Sequence, residues 1–284
     1  MAPKLSGASA GNNGGESRDT AARGILVGMS AAPMPPDLAD TFESVRRGRT
    51  SAIVRIDFRP GFEALGLDRS PHPPDDAEPT KGGRGEAWIA SLPTGDEAVV
   101  RPGRRGGWFG RLVRRRYFLG DRFVAELVLT ERLRRRGAPV PMPLAAVRRE
   151  RRVGYETWMI TRRIPAARPA AELLGAGPEA QRASRLETLG YAVGRLHAAG
   201  GDHADLNAWN VLLDGDDAYV VDLDRGRLRT APLDPGRAAA NLSRLRRSLE
   251  RLGLDDALAA WSAFERGYAA ALRQGGAGPV PPED

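Results

Sequence analysis

The sequence contains no cysteine, which removes disulfides, thiolate metal sites and cysteine nucleophiles and gives no sign of an oxidising compartment. Long apolar runs are missing as well, since no stretch approaches the ~20 residues of a membrane-spanning helix. The first thirty residues are rich in Gly, Ala, Ser and Asn and lack the basic start and apolar segment of a secretory signal. A soluble protein of the cytosol is the expectation. Lysine is nearly absent, with Lys4 and Lys81 alone among 43 basic residues, so cationic chemistry falls to arginine, whose planar fork differs from a point charge.

What is present is enough for a sizeable fold: 284 residues with 41% hydrophobic content suit one large domain or two lobes sharing a cleft. The formal charge of +7 is unevenly spread. Arginines 101, 104, 105, 111, 114, 115, 116 and 122 stand against the single acid Asp121. Such a surface attracts nucleic acid, an anionic membrane or a phosphorylated substrate, and charge alone does not choose among them.

Residues 1–35 carry too little apolar surface to offset the entropy of ordering and read as a disordered tail. Ser70 to Pro79 reads as a proline-rich loop. Strand-like runs occur at Ala52 to Ile56, Glu86 to Ala90, Ala98 to Arg101 and Tyr155 to Ile160, enough for a small antiparallel sheet. Among them Asp121 to Arg136 reads as one helix, with Phe123, Leu127 and Leu133 on its buried stripe. After Ile164-Pro165 the spacing turns helical: Leu186, Leu189, Val193 and Leu196, then Leu242, Leu245, Leu249 and Leu252, then Leu258, Trp261, Phe264 and Tyr268. A hairpin, Asn210 to Leu213 with Ala218 to Leu223, interrupts the helices. The expected class is α+β in two lobes, a β-rich one over residues 36–163 and a helical one over 164–284.

The chemistry concentrates in His203-Ala204-Asp205-Leu206-Asn207-Ala208-Trp209-Asn210, which keeps the His, Asp, Leu and Asn of the phosphotransferase pattern H-R-D-L-x-x-x-N. Phosphoryl transfer needs a carboxylate beside the attacking hydroxyl and oxygen ligands for Mg²⁺ on the nucleotide phosphates. Asp205 suits the first role and Asn210 the second. Across the hairpin, Val220-Val221-Asp222 brings a further acid to the end of a buried strand, a second metal ligand. Taken singly, each of these residues is explained as well by a turn or a cap; their joint spacing between helix and hairpin carries the reading. His203 reads as a backbone anchor, because Asp205 already fills the role of base.

Nucleotide clamps are expected from the first half. Lys81-Gly82-Gly83-Arg84-Gly85 has no side chains at Gly82, Gly83 and Gly85 and would let backbone N–H groups approach phosphates, although by itself a hairpin turn explains these glycines equally well. Val99-Val100-Arg101 stands where V-A-I-K would, with Glu126 on the following helix as its partner. The phosphate-contacting cation is Arg101 or Lys81. Together these residues point to an ATP- and Mg²⁺-dependent phosphotransferase with a protein-kinase-like fold.

The same segments resemble the 3-deoxy-D-manno-octulosonic acid (Kdo) kinases of the lipopolysaccharide kinase family, within the kinase-like superfamily, from about residue 50 to 255. The resemblance rests on Lys81 to Gly85, Arg101, Arg104-Arg105-Gly106-Gly107, Arg116-Tyr117, Glu126, Gly137 to Ala146, His203 to Leu213 and Asn241 to Ser248. Trp209 and Ala138 depart from the family's usual His and Leu. The resemblance implies phosphorylation of a Kdo hydroxyl on a lipid A precursor, at the cytoplasmic face of a Gram-negative inner membrane. Arg104 and Arg105 would gather the anionic glycolipid, and no nucleic acid is expected. A Ser/Thr protein kinase fits less well, because Ala204 replaces the arginine that holds a phosphorylated loop and Asp224 replaces the DFG glycine. A heptose or aminoglycoside kinase would share the metal residues. An arginine-rich nucleic-acid-binding pseudokinase would leave the acids without purpose.

Overall fold

The computed structural model describes residues 34–73, 87–92, 94–103, 122–152 and 154–275. The first half builds a sheet from β1 (Phe42–Arg47), β2 (Thr50–Arg55), β3 (Trp88–Ser91), β4 (Glu97–Pro102), β5 (Pro143–Glu150) and β6 (Tyr155–Arg162). These pair antiparallel in the order β1-β2-β5-β6-β4-β3. The short helix α1 (Arg59–Ala64) follows β2, and α2 (Arg122–Arg135) lies between β4 and β5 in sequence.

Strand alternation sends neighbouring residues to opposite faces. Ile53, Ala146 and Met159 pack with Phe42, Phe123, Val124 and Leu127 against α2. Val54, Val100, Val147, Trp158 and Ile160 pack on the other face with Phe58 and Phe62. Two of the six strands lack a clear signal in the sequence. β1 is an edge strand whose Phe42-Glu43-Ser44-Val45-Arg46-Arg47 is mostly polar. β5 is alanine-rich, and its β propensity is overridden by burial on both faces.

The second half contains β7 (Arg168–Pro169), α3 (Ala170–Leu173), α4 (Glu179–Ala198), β8 (Gly201–Asp202), β9 (Val211–Asp214), β10 (Asp217–Val220), β11 (Arg227–Leu228), α5 (Pro235–Arg251), α6 (Asp255–Ala259) and α7 (Trp261–Gln274). Leu186, Leu189, Val193 and Leu196 are fully buried, as the spacing predicts. Each such side chain contributes ~1.5–3 kcal/mol from burial. The periodic series Leu258 to Tyr268 is divided between α6 and α7, with Trp261 stacked on Phe264 at 4.2 Å. The hairpin pairs Asp214 with Asp217 across Gly215-Asp216, and Gly215 takes the left-handed φ of +56° that the tight turn requires. Its second strand stops at Val220, short of the expected Leu223, because Asp222 leaves extended geometry with φ +63°.

The two halves are joined through α2. Phe123 and Leu127 face the sheet, whereas Leu129 and Leu133 belong to the core of the helical half together with Val140, Leu189, Leu206 and Val220. Among the described residues no helix is long and apolar enough to cross a membrane.

Candidate active site

The loop after α4 is positioned by one buried imidazole. His203 is 1% exposed, and its Nδ1 accepts a hydrogen bond from the Asp205 backbone N–H at 3.1 Å. The ring proton is therefore on Nε2, which donates to the Val221 carbonyl at 3.0 Å. Burial holds the His203 pKa below its ordinary value, so the ring is neutral at pH 7. One side chain thus ties the residue before Asp222 to the backbone of Asp205.

Further bonds fix the loop while leaving its acid free. Asn207 Nδ2 and Asn210 Nδ2 each donate to the Asp205 carbonyl at 2.9 Å. Ala208 N–H donates to Ser248 Oγ on α5 at 3.0 Å, and Val221 N–H returns to the Asn210 carbonyl. The Asp205 carboxylate makes no hydrogen bond or ion pair among the described residues and is exposed. Asn210 has its amide nitrogen engaged, which leaves Oδ1 as its open acceptor.

Asp222 sits in a conformation that L residues other than Asn and Asp rarely take. Its carboxylate is 45% exposed, and Oδ1 lies 3.3 Å from Arg101 Nη1. Arg101 projects from β4, and its Nη2 forms a very close ion pair with Glu126 Oε1 on α2. The pair read from the sequence is thus brought together, with Asp222 as a third member that spacing did not disclose. Burial pushes the Glu126 carboxyl up to about 7; Arg101 opposes that rise, and Asp222 and Asp224 add to it.

Among the described residues no three His, Cys, Asp or Glu gather into a metal-ligating group. An exposed carboxylate and an open amide oxygen are, however, the donor set of a hard divalent cation that completes its shell with water and phosphate oxygens. Asp222 and Asn210 fit that description. Lys81, Gly82, Gly83, Gly85, Arg104 and Arg105 lie outside the described residues.

The sequence model described as "Lipopolysaccharide kinase (Kdo/WaaP) family" matches residues 77–268. The chain belongs to this family. A 3-deoxy-D-manno-octulosonic acid kinase of Xanthomonas campestris pv. campestris (strain B100) is 36% identical over 223 residues, covering 76% of this chain and 87% of the relative. The enzyme of the same name from Xanthomonas euvesicatoria pv. vesicatoria (strain 85-10) is 40% identical over 176 residues, covering 60% of this chain and 68% of the relative. Among solved structures, an amicoumacin kinase in complex with AMP-PNP, Ca²⁺ and Ami aligns with TM-score 0.50 at 12% identity, over 74% of this chain and 78% of that one. At that identity the likeness concerns the fold, which is kinase-like with two lobes.

Several residues of this Kdo/WaaP-family chain take roles that sequence spacing does not assign. Ser248 Oγ holds the Asp205 loop through the Ala208 N–H, and Asn241 Nδ2 reaches His197 Nε2 at 3.3 Å and Asp202 Oδ1 at 3.4 Å. The segment Asn241 to Ser248 marks the resemblance; which atoms it meets is set by packing of α5 against the loop.

Proposed function

We propose that the chain transfers the γ-phosphoryl group of ATP to a hydroxyl of a Kdo sugar carried by a lipid A precursor, a step of lipopolysaccharide core biosynthesis. The observation that carries this reading is the arrangement in which His203 couples the Asp205 loop to the Asp222 segment while Arg101 bridges Asp222 and Glu126. Membership of the family and relatives named Kdo kinases support the acceptor.

In this reading Asp205 takes the proton of the attacking hydroxyl. The acceptor oxygen then bonds to the γ-phosphorus as the bond to the β–γ bridging oxygen breaks and ADP leaves. Asp222 and Asn210 would hold a divalent cation, taken as Mg²⁺. When bound, that ion neutralises charge on the phosphate oxygens. Arg101, oriented by Glu126, contacts the phosphates in place of the usual lysine, and Lys81 with Gly82, Gly83 and Gly85 covers them. Arg104 and Arg105 meet the anionic acceptor at the cytoplasmic face of the inner membrane, where the basic surface is drawn to anionic lipid.

The test uses purified protein, labelled ATP and Mg²⁺. One phosphate should enter Kdo-bearing lipid A precursor and none should enter Kdo-free lipid A, an aminoglycoside or a generic protein substrate. Preferential labelling of the protein substrate would overturn the reading.

A further inference from the structure

The helical lobe holds a cavity beside the catalytic loop, apart from the Arg101–Glu126–Asp222 arrangement. Ala204, the residue before Asp205, forms part of its wall, and Arg225, Arg227, Arg229, Arg237 and Arg244 line it. Only two acids, Asp202 and Asp224, share that lining. Five guanidiniums come from two separate elements, the β11 segment and α5, so the basic character is produced by tertiary packing and not by one charged run.

The partners of these arginines divide them into two groups. Arg237 Nη1 lies 3.2 Å from Asp202 Oδ2, and Arg244 Nη1 donates to Asn241 Oδ1 at 2.7 Å. These two are oriented. Asp202 is itself held through Asn241, which also bonds His197. Arg225 and Arg227 have no carboxylate partner among the described residues and are exposed. Arg229 is paired as well, its buried Nε standing 3.5 Å from Asp202 Oδ2, so Asp202 is shared between Arg229 and Arg237.

We propose that this cavity binds an acidic group of the sugar acceptor, a carboxylate or a phosphate ester carried near the hydroxyl that is phosphorylated. The proposal rests on the sugar-kinase reading and names a second part of that site. Guanidinium forks match both oxyanions with paired, charge-assisted hydrogen bonds. Position favours acceptor over nucleotide, because Arg101 and Glu126 come from the sheet lobe whereas this cavity belongs to the helical lobe and adjoins Asp205 through Ala204. Small Ala204 leaves room where an arginine would stand in a protein kinase. Asp224, two residues past Asp222, also lines the cavity.

The experiment compares wild type with an Arg225→Ala/Arg227→Ala double variant at two exposed positions. The KM for Kdo-lipid A precursor should rise ~10-fold or more, with the KM for ATP within about twofold, and the Lys/Lys double variant should recover only part of the loss, since lysine keeps the charge without the fork. An equal rise for both substrates would place the pair at the nucleotide and overturn the proposal. Independently of turnover, titration calorimetry of nucleotide-free protein uses free Kdo, which has a carboxylate and no phosphate, and inorganic phosphate. Binding of Kdo alone assigns a carboxylate site and binding of phosphate alone a phosphate site; either should be lost in the Ala/Ala variant and weakened by added salt. If neither probe binds, or the variant binds as wild type does, the cavity is not an anion site. If no Kdo glycolipid is phosphorylated at all, the sugar-kinase reading fails, and calorimetry still decides the cavity.

Discussion

Asp205 and Asp222 differ in how they are held, and the same substitution tests both. The Asp205 carboxylate is exposed, with its backbone fixed by His203, Asn207 and Asn210. Asp205→Asn should therefore cut transfer by ~10²-fold or more with an unchanged melting temperature. Asp222→Asn should do the same, because asparagine tolerates the left-handed backbone that Asp222 adopts; near-normal turnover in either variant would remove that residue from the mechanism. At the Arg101–Glu126 pair, Arg101→Ala should raise the KM for ATP and Arg101→Lys should be only partly tolerated, because lysine keeps the charge but lacks the two nitrogens that reach Glu126 and Asp222 separately. Glu126 titrates near pH 7 and is neutral below it, so the ion pair is complete only above that pH. The kcat/KM for ATP should rise with pH through about 7, and Glu126→Gln should abolish that limb. A limb that survives in Glu126→Gln belongs to another group.

At the scale of elements, the contact between α4 and α7 depends on glycines that carry no chemistry. A methyl group on Gly190 would meet the Phe264 carbonyl oxygen at 2.1 Å, and one on Gly267 would meet the Glu187 carbonyl oxygen at 2.0 Å. In a free helix Gly→Ala gains up to ~1 kcal/mol. Here Gly190→Ala or Gly267→Ala should lose ~2 kcal/mol or more, read as a lower urea midpoint, because two backbones must separate. Gly236 on α5 is the control, since its nearest neighbour is an ordinary contact at 3.5 Å. Gly236→Ala should be neutral or slightly stabilising.

For the whole molecule, the buried histidines couple stability to acid. Burial lowers His197 to about 4, with Asp202 opposing and His203 adding to the shift, and burial likewise lowers His203. Both are neutral when folded and protonate more readily when unfolded. The stability contributed by the two rings should thus be full above about pH 6.5 and fall as the pH drops toward 4, because the unfolded chain then binds more protons at these positions. Urea midpoints at pH 7 and pH 5 measure this. Glu126 acts with the opposite sign, because its raised pKa lets the folded chain bind a proton below about pH 7, so the two midpoints are compared in the Glu126→Gln background, where an unchanged value would mean that neither ring is kept neutral by the fold.

Much of the fold is legible from periodicity alone: the stripe Leu186 to Leu196, the hairpin about Gly215, and α2 with Phe123 and Leu127 turned to the sheet. The spacing of His203, Asp205, Asn210 and Asp222 is a local property, visible in the order of residues along the chain. β1 and β5 are not legible, since an edge strand and a strand buried on both faces lose the alternation that marks a half-buried one. The sequence by itself determined which residues are able to do chemistry and roughly where helices and strands begin. Only the tertiary structure decided that Arg101 spans Asp222 and Glu126, that Ser248 supports the loop, and that arginines from the β11 segment and α5 share one cavity. Those contacts join positions far apart in the chain, and local spacing carries no information about how distant segments pack.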